Sequence, residues 1–455
     1  MGKDMLNTMK YISTVQFSGL INWSVQYLND SKIAFNKAYP MMPIGEFLKR
    51  NKTTVIIQDG VKYKRVTIKI HNGGVVTRDE VKGENIGTKK QFRVESGQFI
   101  ISKIDARNGA MGIIPNELDG AVVTPDFLSF DIDTTKVNPK YLVLVCTTGQ
   151  FVEFCHSCSS GTTNRQRINE SQFLNIKIPV PSLEKQNELI EEYCKQILSS
   201  NKLLEKAKLE EKSIQQYILA KLGVKLPVDI ISQKKKKSNL ISCVSYKDVE
   251  RWDMWSKEYY IDTLLNKSTY PVSRLGSLAF TTRKWEKDTD NFRYIEISDI
   301  DPVWGIINDT NLSTGDAPSR ATQRVYTGDL IIGTTRPYLK RFAIVSEKHN
   351  QCICSSAFQV ISPDKEYDIE FVYYFLQTQL AVIQFESYMT GALYPYINTS
   401  DLCKIKILLP PLSVQNSIVR YANKKRVNVK SYILESRKRC TDALRSFEAK
   451  IFEQK

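Results

Sequence analysis

Apolar residues fall into two rhythms along this chain, and each rhythm occurs twice. Over residues 183–222 a spacing of seven picks out Leu183, Ile190, Ile197, Leu204 and Ile218, with Glu211 interrupting. Over residues 412–451 the same spacing gives Leu412, Val419, Ile433, Cys440 and Phe447, with Arg426 interrupting. Tyr193, Ala207 and Ile214 fill in the first seam, and Ala422, Val429, Ala443 and Leu444 the second. A seven-residue apolar period predicts helices that pair as in a coiled coil. Neither stretch contains proline, and each begins just after one. At the α-helical rise, about 40 residues make a rod of roughly 60 Å. Ahead of each rod the rhythm shortens. Residues 61–70, 99–104, 111–114 and 127–132 predict strands, the first ending at the turn signal His71-Asn72-Gly73-Gly74. A helix is predicted over 139–154, with Tyr141, Val145 and Val152 on one side. The second half repeats this, with strands over 292–297, 303–307, 329–333, 342–345 and 358–361, then a helix over 369–384.

The two halves also match in their letters. Residues 168–187 and 397–416, offset by 229, are identical at 10 of 20 positions. Trp23-Ser24 matches Trp255-Ser256, Tyr39-Pro40 with Gly45 matches Tyr270-Pro271 with Gly276, and Gly161 matches Gly391. Ser96-Gly97 before Phe99-Ile100-Ile101 mirrors Thr327-Gly328 before Leu330-Ile331-Ile332. The drift in offset is small over nearly the whole half-chain. A period of roughly 230 is too long for a solenoid and long enough for a domain with an appendage. The predicted fold is therefore α+β. It comprises two mixed, strand-rich domains, each followed by a long helix, the helices pairing as an antiparallel coiled coil with pseudo-two-fold symmetry. The expected boundaries are a partly helical N-terminal segment (1–37), a first domain (38–182) and a central helix (183–226). A linker with the start of the second repeat (227–269), a second domain (270–411) and a C-terminal helix (412–455) follow. The Lys234-Lys235-Lys236-Lys237 run reads as solvated linker.

Composition narrows the partners. The chain has 455 residues, 42% hydrophobic and 25% charged, an ordinary globular balance. No stretch approaches 18 uninterrupted apolar residues and no secretory signal is visible, so no membrane is expected and the cytoplasm is. The nine cysteines are scattered, which fits free thiols in a reducing compartment. Cys155-His156-Ser157-Cys158 has a metal-like spacing, but the only other close cysteine pair is the distant Cys352-Ile353-Cys354, so no metal site is expected. The net charge of +15 speaks to a nucleic-acid partner, with a merely basic protein as the plain alternative.

Catalytic patterns are missing. There is neither a Gly-x-x-x-x-Gly-Lys phosphate loop nor a Gly-x-Gly-x-x-Gly turn, and only three histidines, His71, His156 and His349. Asp131 with Asp133 and Asp299 with Asp301 could be paired carboxylates or turn ends. No catalytic residue is assigned. What remains suits DNA, because Lys and Arg neutralise phosphates while Arg, Asn and Gln read base edges. The candidates in the first half are Lys64, Arg65, Lys89, Lys90, Arg93, Arg107 and Asn108, and then Asn164, Arg165, Gln166 and Arg167 just before the rod. In the second half they are Arg283, Lys284, Arg320, Gln323, Arg324, Arg336, Tyr338, Lys340 and Arg341, with Tyr394 in the matching pre-rod loop.

With these residues in view, the chain resembles the specificity (S) subunit of type I restriction-modification systems over nearly its full length. The most specific parts are residues 178–186 and 407–415, each with prolines and a Leu-x-x-Gln entering a long helix (Leu183 to Gln186, Leu412 to Gln415). The lead-in from Gly391 to Asn398 supports it, and the first copy, Gly161 to Asn169, departs by one inserted residue. The resemblance implies two target-recognition domains, each reading half of a split, asymmetric site in double-stranded DNA, with the helices setting the spacing. It implies a non-catalytic subunit without a cofactor of its own. Two methyltransferase subunits holding S-adenosylmethionine, and two restriction (translocase–nuclease) subunits, would complete the complex. Two other readings stay open, a self-sufficient nuclease or methyltransferase with the same domains, and a scaffold that binds no DNA.

Overall fold

The computed structural model describes residues 35–36, 38–70, 73–157, 159–160, 167–226, 261–286, 291–308, 312–314 and 317–452. Two compact units result, Met1–Asn201 with Ser436–Lys455, and Lys202–Glu435. They do not follow the sequence repeat, because each takes part of both long helices. The 1–34 stretch, the 227–260 linker, His71, Asn72 and Cys158 lie outside the described residues.

In the first unit, strand Met41–Pro43 pairs antiparallel with Lys177–Pro179 and brings the two ends of the strand-rich domain together. A four-stranded sheet runs in the order Leu48–Asn51, Phe127–Ile132, Phe99–Ser102, Met111–Ile113. Phe99 and Ile101 are buried in the same core as Phe130 and Phe173, and the Phe99 and Phe173 rings stack 6.2 Å apart. Helices α1 (Pro139–Cys146), α2 (Gly149–Ser157) and α3 (Glu170–Leu174) follow, then the long α4 (Leu183–Lys221).

The second unit repeats this. Val272–Arg274 pairs with Lys406–Leu408. The sheet order is Phe280–Thr281, Phe358–Ile361, Leu330–Gly333, Phe342–Ile344. Helices α5 (Ile369–Leu376), α6 (Gln379–Tyr388) and α7 (Thr399–Cys403) lead to the long α8 (Leu412–Ile451).

The middles that diverged in sequence share a topology. The first has strands in the order Val75–Lys82, Lys62–Ile68, Val122–Val123, Lys90–Arg93, Thr54–Ile56. The second runs Leu312–Thr314, Asn291–Ile295, Ile353–Ser355, Ala321–Arg324, with a Lys284–Gln323 bridge where a fifth strand would lie. One parallel contact sits at the same place in each, Arg65 opposite Val122 and Tyr294 opposite Ile353. One difference is that Lys62–Ile68 and Val75–Lys82 follow each other directly in the first copy, whereas in the second the short Ile300–Asp301 and Ile306–Ile307 pair lies between Asn291–Ile295 and Leu312–Thr314 in the chain.

Two expected elements differ. The helices over 139–154 and 369–384 are each broken in two, at Thr147-Thr148 and at Gln377-Thr378. Thr148 Oγ1 donates to the Val145 carbonyl at 2.8 Å, and Thr378 Oγ1 to the Phe375 carbonyl at 2.7 Å. A threonine hydroxyl that caps the preceding turn and the start of the next helix competes with the helical ladder. The strand expected over 303–307 shrinks to Ile306–Ile307. The Asp301 carboxylate accepts the N–H groups of Val303 and Trp304 and makes a turn there, with Gly305 at positive φ.

The long helices pair antiparallel within each unit. In the first, Glu192 meets Lys450 and Ser446, and Ser200 meets Ser436. In the second, Glu210 meets Lys425 at 2.7 Å, Glu211 meets Arg426 at 3.4 Å, and the Tyr217 and Tyr421 rings stack 3.9 Å apart. Ile190, Ala207, Ile214 and Ile218 are buried on α4, and Val419, Ala422, Val429, Ala443 and Phe447 on α8, as the seven-residue spacing predicts. Leu183, Leu412 and Cys440 are exposed. Leu183 and Leu412 are the first residues of their helices.

Candidate nucleic-acid interface

The sheet that closes each strand-rich domain ends in a tight turn. In the second unit the strands Leu330–Gly333 and Phe342–Ile344 are joined by the 3-10 turn Pro337–Leu339, flanked by Arg336 (φ 48) and Lys340 (φ 56), both left-handed. In the first unit the equivalent turn is Ala106–Asn108, closed by Gly109 at φ 73. Glycine takes this conformation at little cost, whereas a side chain there needs compensation. Lys340 is compensated, because its Nζ donates to the Gln377 carbonyl at 2.6 Å, and burial pushes its ammonium pKa down.

A second loop, the one before each long helix, is tied to this turn by the main chain. Ile397 N–H donates to the Thr334 carbonyl at 3.0 Å, and Ile168 N–H donates to the Lys103 carbonyl at 2.9 Å. In the second unit the pair is cross-braced. Thr390 and Tyr396 exchange two backbone hydrogen bonds of 2.9 Å, and Arg336 N–H donates to the Pro395 carbonyl at 2.8 Å. The Arg336 guanidinium donates to the Leu393 carbonyl at 3.3 Å and lies 5.4 Å from the centre of the Tyr394 ring. The fold thus brings Tyr394 against the turn that carries Arg336 and Tyr338, far from it in sequence. In the first unit it ties Ile168, next to Arg167, to Lys103 just ahead of the turn that carries Arg107 and Asn108.

Other candidates serve the fold. Arg283 donates to the buried Asp329 carboxylate at 2.6 Å and to Ser362 Oγ at 2.7 Å. The Arg341 guanidinium donates to the carbonyls of Ile297 and Ile300, each at 2.9 Å. Gln323 is buried and donates to the Phe358 carbonyl at 2.8 Å. These three side chains, like that of Lys340, are committed to internal partners. Arg65 holds Asp79 through two 2.7 Å bonds, and this pairing raises the Arg65 pKa and lowers that of Asp79. Lys64 donates to the Glu117 carbonyl at 2.9 Å, Lys89 to Asp59 at 2.6 Å, Arg167 to Asp126 at 3.0 Å and Asn108 to Asp105 at 3.3 Å. These surface pairs can be exchanged for phosphate contacts at small cost. Lys90, Arg93, Lys284 and Arg320 are exposed, while Arg107, Arg324 and Tyr338 are half-buried. Asn164, Arg165 and Gln166 lie outside the described residues.

Of the aspartates considered as pairs, Asp133, Asp299 and Asp301 act in turns, whereas Asp131 lies within strand Phe127–Ile132. Asp299 accepts the N–H of Glu296 at 2.8 Å, and Asp133 accepts the N–H and hydroxyl of Thr135, which hold its pKa down. Asp131 accepts from the Gln98 side-chain amide at 2.7 Å. Cys352 and Cys354 are buried, and burial raises the Cys354 pKa to about 12. Among the described residues no helix is long and apolar enough to cross a membrane. Residue chemistry alone overlooked Leu339, Leu393 and Tyr396, which stand exposed on the same loop pair. The signal available was a large apolar residue in a loop rather than in a periodic stretch, Leu393 between Gly391 and Pro395, Tyr396 just after Pro395, and Leu339 just after Pro337 and Tyr338.

Two spans, residues 36–212 and 263–424, match the model of the type I restriction modification DNA specificity domain. Together with two domains of one topology and paired loops of different content, this defines a class of DNA-recognition proteins. The chain belongs to the type I restriction modification DNA specificity family and carries its domain twice. Similar solved structures include one described as the structural basis of complex assembly and conformational transition of the type I R-M system. It is 15% identical, with 91% of this chain and 97% of that chain covered and a TM-score of 0.45. The HsdS subunit from Thermoanaerobacter tengcongensis is 14% identical, with 91% and 95% covered and a TM-score of 0.34. The type I restriction-modification S subunit from M. genitalium is 12% identical, with 92% and 98% covered and a TM-score of 0.38. No curated protein matches the chain.

Proposed function

We propose that this chain is the non-catalytic, sequence-specific DNA-binding subunit of a type I restriction-modification complex, acting in the cytoplasm. It reads a bipartite, asymmetric target, one half-site per strand-rich domain, and directs adenine methyltransferase and restriction subunits to it. The paired long helices set the distance between half-sites. Two methyltransferase subunits supply S-adenosylmethionine, and two restriction subunits supply cleavage. The observation that carries this reading is a family domain present twice with the same strand order and different loop chemistry. Ala106-Arg107-Asn108-Gly109 in one copy stands where Pro337-Tyr338-Leu339-Lys340 stands in the other. A shared frame with different reading loops suits two different half-sites. The test is methylome sequencing of a host expressing this chain with its methyltransferase partner. A split motif with unlike halves is expected, and a contiguous or palindromic motif would overturn the bipartite reading.

A further inference from the structure

The loop pair of the second unit presents its apolar side chains outward. Leu393 is 82% exposed and Tyr394 72%, and Leu339 and Tyr396 beside them are also exposed. Single exposed apolar residues need no explanation, but a group of them on one element marks a contact surface. The element is held firmly. Gly391 takes φ 93, Arg336 bonds both the Leu393 and the Pro395 carbonyls, and Thr390 and Tyr396 close the loop at its base. Pro395 confines Tyr394 to extended backbone, and the Arg336 guanidinium lies against the Tyr394 ring. The tip therefore needs little ordering on contact, which lowers the entropic cost of binding.

Charge selects the partner. Residues 334–341 and 390–397 contain no aspartate or glutamate, and with Lys340 and Arg341 turned to internal carbonyls, Arg336 is the cation beside the tip. A cationic base under an apolar tip suits a polyanion with an apolar interior, which is what stacked base pairs behind phosphates offer. Leucine and aromatic side chains open base steps when presented this way.

We propose that Leu393 and Tyr394 form a preformed wedge that inserts at one base step of the half-site read by the second domain, with Arg336 positioning the Tyr394 ring. The inference rests on the DNA-reading function proposed above and names how one half-site is read. The corresponding loop in the first repeat, residues 161–166, reads Gly-Thr-Thr-Asn-Arg-Gln and has no large apolar residue. The two half-sites are thus read by different chemistry, and the base step opens in one only.

The experiment uses the chain in complex with its methyltransferase partner, on the target found by methylation mapping. 2-Aminopurine is placed at successive steps across both half-sites, away from the methylated adenine, and its fluorescence reports unstacking. One step in one half-site should brighten with the wild-type complex. With the Leu393→Ala, Tyr394→Ala variant that rise should vanish and affinity for the specific site should fall about tenfold, the size of one lost base-pair reading. A mismatch at that step should tighten wild-type binding and leave the variant unchanged. Arg336→Ala should reduce the rise, and Arg336→Lys should restore part of it. No brightened step with a tightly bound wild-type complex, or a rise that persists in the double variant, would overturn the wedge. Binding without sequence preference by the wild-type complex would instead overturn the DNA-reading function itself.

Discussion

The side-chain carbonyl of Gln186 accepts the backbone N–H of Asn138 at 2.8 Å. Its amide donates to the carbonyls of Pro181 at 2.8 Å and Lys136 at 3.0 Å. Gln415 does the same in the second unit, accepting from Asp368 N–H at 2.8 Å and donating to the Pro410 carbonyl at 2.7 Å. Both glutamines are buried. The residue that made the repeat visible is therefore the clamp between a long helix and the cap of the helix beside it, α1 in one case and α5 in the other. Gln186→Met keeps the volume and strands Asn138 N–H and two carbonyls. A loss of about 1–3 kcal/mol is expected, the cost of an unsatisfied buried group. It should be read as a lower urea midpoint with an unchanged slope, and an unmoved midpoint would show that the clamp is idle.

Ser200 and Ser436 place their hydroxyl oxygens 2.6 Å apart in a buried part of the helix seam, and Ser200 Oγ also donates to the Ser436 carbonyl at 3.0 Å. Two small polar residues stand here between apolar positions of the seam. Ser200→Leu should overpack it and cost about 1–3 kcal/mol. A double-mutant cycle of Ser200→Ala and Ser436→Ala should give a coupling of roughly 0.5–1.5 kcal/mol, since the two share one hydrogen bond. Additive single effects would mean the hydroxyls do not act together.

Arg283 and Arg336 separate the two kinds of cation on the second unit. Asp329 is 1% exposed and holds Arg283 together with Ser362 and Tyr326 N–H. Asp329→Ala should destabilise by about 2–4 kcal/mol, below the figure for a fully buried pair because Arg283 is partly exposed. Thermal unfolding should show the loss, while the methylated motif stays the same. A changed motif with unchanged stability would place Arg283 at the DNA instead.

Replacing residues 38–180 by the corresponding segment of another specificity chain should change one half-site and leave the other. Adding matched heptads to α4 and α8 should lengthen the spacer by about 3 base pairs per heptad, from the α-helical rise and the base-pair step. Both outcomes are read by methylome sequencing. A spacer that stays constant would remove the helices as the measure of distance.

Much of the frame was legible in the sequence because it repeats and because its periods are local. Both long helices begin where the seven-residue spacing begins, and they run Leu183–Lys221 and Leu412–Ile451, the first ending five residues before the boundary expected at 226. The broken helices were not legible, because Tyr141, Val145 and Val152 keep apolar spacing across the break at Thr148, and a threonine in a helical pattern does not announce a cap. The candidate interface was half legible. Arg336 and Tyr394 were chosen for their chemistry, but the same criterion selected Arg283, Gln323 and Arg341, whose partners lie across the fold.

The sequence by itself determined the duplicated α+β plan, the two long helices and the glutamine-marked joints, because periodicity, proline and repeat identity act over a few neighbouring residues. Only the tertiary structure decided that the unlike middles share one sheet order, since strand pairing depends on contacts between residues far apart. It alone decided which cations are spent on internal carboxylates and carbonyls and which loops meet at a tip. Composition sets how many arginines a surface can offer, and folding sets what each one faces.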